Sequence, residues 1–273
     1  MKNKTDIIWL DSVDSTNSEA RRRFSELDNL SVLSALSQTD GRGQRGNSWS
    51  SEDGKNLLCS IVLKAGSEIM ANEQFVVSQI AALSVTDLLA SHGIKAAIKW
   101  PNDIYVNDEK ICGILIENTV CGKYLSSSII GIGLNINQRN FDVNIPNPTS
   151  MAICKPQSQG NEENIFCIRT ILEELMEIFV SYKERFLNIT GGYSRLDKLY
   201  QSQLWKRDVV SDFIDNTVSP PAAMQGTIRG VSPIGTLIIE TKEGELREFA
   251  FKEISYQIRA PKIMEPMRTI VEP

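Results

Sequence analysis

Two stretches hold most of the chemistry-bearing side chains. In GRGQRGNSW, Gly41 to Trp49, two arginines, Arg42 and Arg45, sit between glycines on a chain of formal net charge −5. A glycine-rich loop with two guanidinium groups is a movable positive patch, able to wrap an anion and then exclude water. Trp49 supplies an aromatic face at its end. In KWPNDIYVNDEKICGILIEN, Lys99 to Asn118, the residues Trp, Pro, Asn, Asp and Lys crowd one strand end. Asn102 and Asp103 read equally as turn formers after Pro101 and as functional groups. Lys110 opens a strand whose next residues, ICGILI, are nearly all apolar, so its ammonium projects from the edge of a hydrophobic wall. There it is either a fixed cation for a carboxylate or phosphate or a snorkelling surface lysine.

Several chemistries are excluded by what accompanies these residues. GRGQRG has the spelling of a dinucleotide fingerprint, but NSWSSEDGKN follows it with no helical apolar period, so no helix N-terminus awaits a pyrophosphate. AAIK, Ala96 to Lys99, mimics the lysine strand of a protein kinase, yet the single histidine, His92, stands in ASHGIK and no D-F-G occurs. There is no G-x-x-x-x-G-K-[ST]. One histidine gives no serine–histidine set, and no ligand cluster marks a metal site. Chemistry that needs cations and positioning remains, and phosphoanhydride activation of a carboxylate fits it.

The chain must bury enough core to hold such a site. With 273 residues, 41% hydrophobic and 23% charged, it has the make-up of a folded chain of one large and one small domain. No apolar run approaches the ~20 residues of a membrane span, and the apolar segment before Asp11 is too short for a signal-peptide core. Five scattered cysteines without a C-x-x-C pair suit free thiols, and a cytoplasmic address is expected. The negative charge argues against general nucleic-acid affinity.

Thr5 to Leu10 reads as a strand. A helix starts in STNSEARRRF, where Thr16 and Glu19 have capping-box spacing and Ser15 is a second cap. SVLSALSQ, NLLCSIVLK and KAAIKW read as strands, and EQFVVSQIAALSVTDLLASHG as a long helix stopped by Gly93. Ile104–Val106 and Ile111–Asn118 form a hairpin around Asn107-Asp108-Glu109. Tyr124 to Asn137 continues as strand through GIGLNIN, where Gly131 and Gly133, with Gly113, let strand backbone approach a neighbour closely. A helix spans Glu162 to Leu187. From about Trp205 short β segments broken by Gly and Pro predict a small antiparallel barrel or sandwich, and the last residues read as a tail.

In combination these motifs resemble those of the biotin–protein ligases over nearly the whole length. The order is Asp14-Ser15-Thr16-Asn17, then Gln38 through Trp49, then Lys99 to Asp103, then Lys110 to Glu117, then Gly131 to Asn137. The resemblance implies an α+β fold: a mixed β-sheet with flanking helices in a catalytic domain over residues 1–205, and a small C-terminal β-barrel with a tail over 206–273. It implies a ligase that converts biotin and Mg-ATP (ATP and Mg2+ together) to biotinyl-5′-AMP, then acylates one lysine of a biotin carboxyl carrier protein.

The matched motifs imply residue roles as well. Ser15, Thr16, Asn17 and Gln38 would bond the ureido end of biotin. Arg42, Gly43, Gln44 and Lys110 would also contact biotin, with Arg42 and Lys110 catalytic at its carboxylate and the α-phosphate. Arg45, Trp49, Asn102, Asp103 and Asn135 would serve ATP, and no protein-held metal is expected. GRGQRGNSW would be the loop that covers the adenylate. The family's loop often carries Arg where this chain has Gln44, which removes one cationic contact and leaves Arg45 or a lysine to replace it. The pattern begins by residue 14, so no DNA-binding module, no nucleic-acid partner and no membrane are expected. An open strand edge would pair with the carrier or with a second copy as a homodimer. The alternatives are a lipoate or octanoate ligase or transferase of the same fold, and a non-catalytic biotin sensor.

Overall fold

The computed structural model describes residues 6–66, 68–155, 166–187 and 189–257, the side chain of Arg45 excepted. Seven strands form the main sheet: β1 (Ile7–Val13), β2 (Val32–Gln38), β3 (Leu57–Lys64), β4 (Ala97–Lys99), β5 (Asp103–Val106), β6 (Glu109–Cys121) and β7 (Tyr124–Leu134), in the order β1-β2-β3-β7-β6-β5-β4. Only β1 and β2 run parallel, so the sheet is mixed. Strand β3 is almost wholly buried, LLCSIVLK, and sits centrally for that reason. Asn107 takes the left-handed conformation (φ 55°) in the expected turn between β5 and β6.

Helix α1 (Thr16–Arg22) packs on β2, β3 and β7, while α2 (Phe75–Ser91) packs against α4 (Ile168–Phe186) and α5 (Gly192–Ser202). A short α3 (Met151–Cys154) is capped by Ser150. Ala71–Ser91, α2 with the turn before it, is long and apolar enough by composition to cross a membrane, which corrects the expectation that no segment is. Two thirds of that window is buried inside the protein, as befits the central helix of a core.

The fourth helix starts at Ile168, later than expected, and Ile165 lies outside the described residues, as do Thr5 and the tail. Helix α5 escaped the sequence reading. Within it Tyr200 is fully buried against Phe75, and its hydroxyl finds no hydrogen-bond partner among the described residues. A buried hydroxyl without a partner costs free energy. Tyr200→Phe is therefore expected to leave stability unchanged or raise it by up to about 1 kcal/mol, read as the midpoint of urea unfolding.

The C-terminal β segments form a second, five-stranded antiparallel sheet: β8 (Val210–Asp215), β9 (Ala222–Val231), β10 (Leu237–Thr241), β11 (Leu246–Phe249) and β12 (Ile254–Tyr256), in the order β11-β10-β9-β8-β12. A single bridge, Phe251 to Ile254, brings the chain after β11 to β12. Aromatic rings join this sheet to the first. Trp100 meets Phe251, with its indole N–H donating to the Gly235 carbonyl at 2.9 Å, and Trp205 packs at steep ring angles against both Tyr105 and Tyr256.

Candidate active site

One cross-strand row sets the site. Ala35, Leu58, Gly133, Gly113, Asp103 and Lys99 lie opposite one another in turn across β2, β3, β7, β6, β5 and β4. Their side chains share one face, and the two glycines in the middle make a bare floor. The indole of Trp49 lies on that floor: a Cβ on Gly133 would stand 2.6 Å from its ring, and one on Gly113 2.9 Å. The next row, Ser60, Gly131 and Leu115, faces α1. Above this floor opens a cavity of about 320 Å3, whose lining combines side chains of both sheets and of the Gly41–Trp49 loop.

At one end the residues of DSTN and Gln38 form a hydrogen-bonded cluster. Gln38 Oε1 accepts from the Thr16 N–H at 2.8 Å and from its hydroxyl at 3.2 Å. Ser60 Oγ donates to Asn17 Oδ1 at 2.6 Å and stands 2.8 Å from Thr16 Oγ1. Asn17 is 2% exposed and donates to the Leu115 carbonyl and to Glu117. The capping reading needs correction. Thr16 is already the first helical residue, Ser15 is the N-cap without a side-chain bond, and the Thr16 hydroxyl serves the cluster instead. Asp14 accepts from the Ser15 N–H and from Arg22, which holds its carboxyl far below the usual range.

At the other end stand two lysines. Lys110 Nζ is 2.7 Å from Asp103 Oδ1 and 5.6 Å from the centre of a Trp49 ring; with its side chain 32% exposed, it is a pinned cation at the cavity wall rather than a snorkelling one. Lys99 shares Asp103 at 3.8 Å. Arg42 lines the cavity on the side of the first cluster: its guanidinium reaches Ser18 of α1 and is held at 3.1 Å by Glu117, the carboxylate that Asn17 also bonds and that Arg21 reaches at 2.7 Å. Because Arg42 is 42% exposed, this pair contributes less than about 1 kcal/mol. Glu117→Gln is expected to loosen the loop enough for trypsin to cut at Arg42 roughly two- to fivefold faster, an effect of that size, in a timed digest.

The loop owes its shape to its own backbone. Trp49 N–H donates to the Gly41 carbonyl and Gly43 N–H to that of Asn47, with Arg42 and Ser48 bridged between them. Gln44 lines the cavity with its carboxamide oxygen buried and without a partner among the described residues. Asn102 lines it too, and its amide donates to the Ile114 carbonyl at 2.9 Å at the edge of β6. Cys59 is in the lining, where burial pushes its thiol up to about 12, leaving it protonated at neutral pH and no nucleophile.

Of the residues expected here, the structure gathers Ser15, Thr16, Asn17, Gln38, Arg42, Gly43, Gln44, Trp49, Asn102, Asp103 and Lys110 around one cavity. Asn135 is not in the lining; its buried amide donates to the Thr149 carbonyl at 2.9 Å and ties down the segment behind Lys110. The side chain of Arg45 lies outside the description. Sequence reasoning placed Lys99 and Glu117 in the motifs without giving them a role, and passed over Ser60 and the C-terminal residues Phe251, Ser255 and Tyr256. Ser60 was recoverable as a polar residue inside an apolar strand, and Glu117 as the residue two beyond Leu115 on the same face.

A profile of the biotin/lipoate A/B protein ligase family matches residues 9–135, from β1 to the end of β7. The chain is 34% identical over 259 residues to the bifunctional ligase/repressor BirA of Escherichia coli (strain K12), covering 91% of this chain and 73% of that protein. The chain belongs to this ligase family. It is also 36% identical over 126 residues to the biotin–[acetyl-CoA-carboxylase] ligase of Paracoccus denitrificans, 45% of this chain and 51% of that one. In three dimensions it is similar to the biotin protein ligase of Aquifex aeolicus in complex with biotin and ATP, with a TM-score of 0.72 at 23% identity over 92% of this chain and 98% of that one. With membership in the ligase family come the expected mixed-sheet fold and the enzyme class, that of a ligase. The family's matched span holds every lining residue except those of the second sheet.

Proposed function

We propose that the chain is an ATP-dependent biotin–protein ligase. A biotin carboxylate oxygen attacks the α-phosphorus of ATP, the bond to pyrophosphate breaks, and biotinyl-5′-AMP results. The amine of one lysine on a biotin carboxyl carrier protein then attacks the acyl carbon, and AMP leaves. The observation that carries this reading is the polarity of one cavity: a neutral hydrogen-bonding cluster at one end, lysines at the other, and a flat apolar floor between.

In this reading Ser15, Thr16, Asn17 and Gln38 present the neutral end to the ureido group. Two anions must meet for the first step, and in a dry site their repulsion is severe. Lys110 offsets it where the negative charge gathers, and Arg42 joins it once its loop carries the guanidinium away from Glu117. Trp49 and Asn102 would border the nucleotide. Asp103 is the one carboxylate among the described lining residues, and two lysines already occupy it. That donor set fits a Mg2+ arriving on the ATP phosphates rather than one held by the protein. Biotin is favoured over lipoate because the relatives reported above are named for biotin.

The carrier would approach along β6. Strand β5 pairs with it as far as Gly113 and Asn102 takes both backbone groups of Ile114, and beyond that point β6 runs on to Cys121 paired with β7 as its only strand neighbour. An open edge of this kind accepts a further strand, beside the cavity; a second copy of the chain would compete for it. The test is the intact mass of a purified carrier domain incubated with the protein, biotin and Mg-ATP. A gain of one biotinyl group on one lysine, absent without ATP, is expected. An unmodified carrier that a known biotin ligase labels would overturn the reading.

A further inference from the structure

Lys99 ends the cross-strand row and enters the cavity from β4, yet neither its ion pair nor its exposure accounts for how it is held. Its side chain is 14% exposed, and the only carboxylate beside it among the described residues, Asp103, stands 3.8 Å away and is already 2.7 Å from Lys110. Instead its ammonium sits between two rings, 4.9 Å from the centre of Tyr105 and 4.8 Å from that of Tyr256. Tyr105 comes from β5 of the main sheet and Tyr256 from β12 of the second, so the seat exists only where the two sheets meet.

The seat is itself braced. Trp205 contacts both tyrosines, and Phe213 packs on Tyr256. Among the described residues the Tyr256 hydroxyl is sealed off without a hydrogen-bond partner, so it is the ring that this position uses. Aromatic faces compensate a cation for part of its lost hydration without consuming its N–H donors. The ammonium therefore keeps donors for an incoming anion. Burial lowers the Lys99 pKa, Asp103 opposes that, and Lys110 adds to it. Lys99 and Tyr256 both line the cavity.

We infer that Tyr256 is a positioning residue, the contact through which the C-terminal sheet fixes the Lys99 ammonium for the phosphates of a nucleotide. The inference rests on the proposed ATP-dependent function but concerns only the nucleotide half of the cavity. It is tested by calorimetric titration of the full chain with the non-reacting analogue α,β-methylene-ATP in the presence of biotin. Binding is read directly, so failure to label a carrier would refute the ligase reading and leave this inference standing.

Tyr256→Leu is expected to weaken binding about tenfold, the loss of one desolvated cation–π contact and its aim, with Tyr256→Phe indistinguishable from the parent. Lys99→Met is expected to weaken binding at least as much, and adding Tyr256→Leu to it to change nothing further. Equal damage from Phe and Leu, independent effects of Tyr256→Leu and Lys99→Met, or unaltered binding in Lys99→Met would each overturn the inference. Lys99→Met lies outside the second sheet, so unaltered binding in it overturns the inference even should Tyr256→Leu not fold, and Tyr256→Trp, which keeps an aromatic face, then takes the place of Leu with parent-like binding expected and a tenfold loss contradicting it.

Discussion

Lys110→Ala slows adenylate formation at least tenfold while biotin still binds. The amine sits at the cavity wall, held 2.7 Å from Asp103 and under the Trp49 ring, so it needs no reorganisation when negative charge arrives. Preorganised cations of this kind act on the transition state more than on the ground state, and a factor of ten corresponds to about 1.4 kcal/mol of lost stabilisation. The substitution also leaves Asp103 with only Lys99, at 3.8 Å, so a carboxylate that was neutralised now repels the nucleotide. Biotin-dependent pyrophosphate release in single turnover checks this. Unchanged release would remove Lys110 from the chemistry, and equal loss of biotin binding would make it a binding residue instead.

Gly131→Ala is the second large effect, and it falls on the opposite end of the cavity. The added methyl would collide with the Asn17 carboxamide, whose carbon lies 3.0 Å from the Cβ position, and Asn17 is fixed on every side by Ser60, Leu115 and Glu117. Pushing it aside strands buried polar groups at roughly 1–3 kcal/mol each. A loss of about 2 kcal/mol or more in stability is expected, with biotin affinity down at least about tenfold, as 1.4 kcal/mol would give. Gly133→Ala offers a control. Its methyl meets the Trp49 indole, which belongs to a loop anchored chiefly by its own backbone, so the ring shifts and stability changes by less than about 1 kcal/mol. Urea midpoints and biotin titrations of both variants measure the contrast. Equal destabilisation would mean that the Asn17 cluster is not rigid.

The strands of the main sheet were legible because their alternation and burial leave little choice: NLLCSIVLK cannot sit anywhere but the middle of a sheet. The lysine and the aspartate of the hairpin were legible as a pair of candidates, but their 2.7 Å contact was not, because it depends on the β5–β6 register and its irregularity between Ile104 and Tyr105. Thr16 misled by spacing. A capping-box pattern describes local hydrogen bonding, and here the longer-range partner, Gln38, wins the hydroxyl. Asn135 misled for a related reason, since its position at the end of GIGLN fits a ligand contact until Thr149 folds back to take its amide. Helix α5, GYSRLDKLYQS, is short and polar and starts after a left-handed Gly191, so its few buried positions give little period to read.

The contribution of the second sheet was invisible in sequence because it depends on tertiary packing alone. Tyr256 reaches Lys99 across 157 positions (256 − 99), and no local pattern marks either as the other's partner. That contact also bears on Gln44, the neutral residue of the Gly41–Trp49 loop, because Lys99 is a cation in the same cavity lining.

The most direct measurement of the whole account is isotope exchange between pyrophosphate and ATP, run on the unmodified chain with biotin, lipoate, octanoate or no acid. A cavity with a neutral hydrogen-bonding cluster at one end and lysines at the other, read as a biotin–adenylate site, predicts exchange with biotin and background with the rest. Exchange supported by lipoate or octanoate and not by biotin, or exchange with none of the acids, would contradict it.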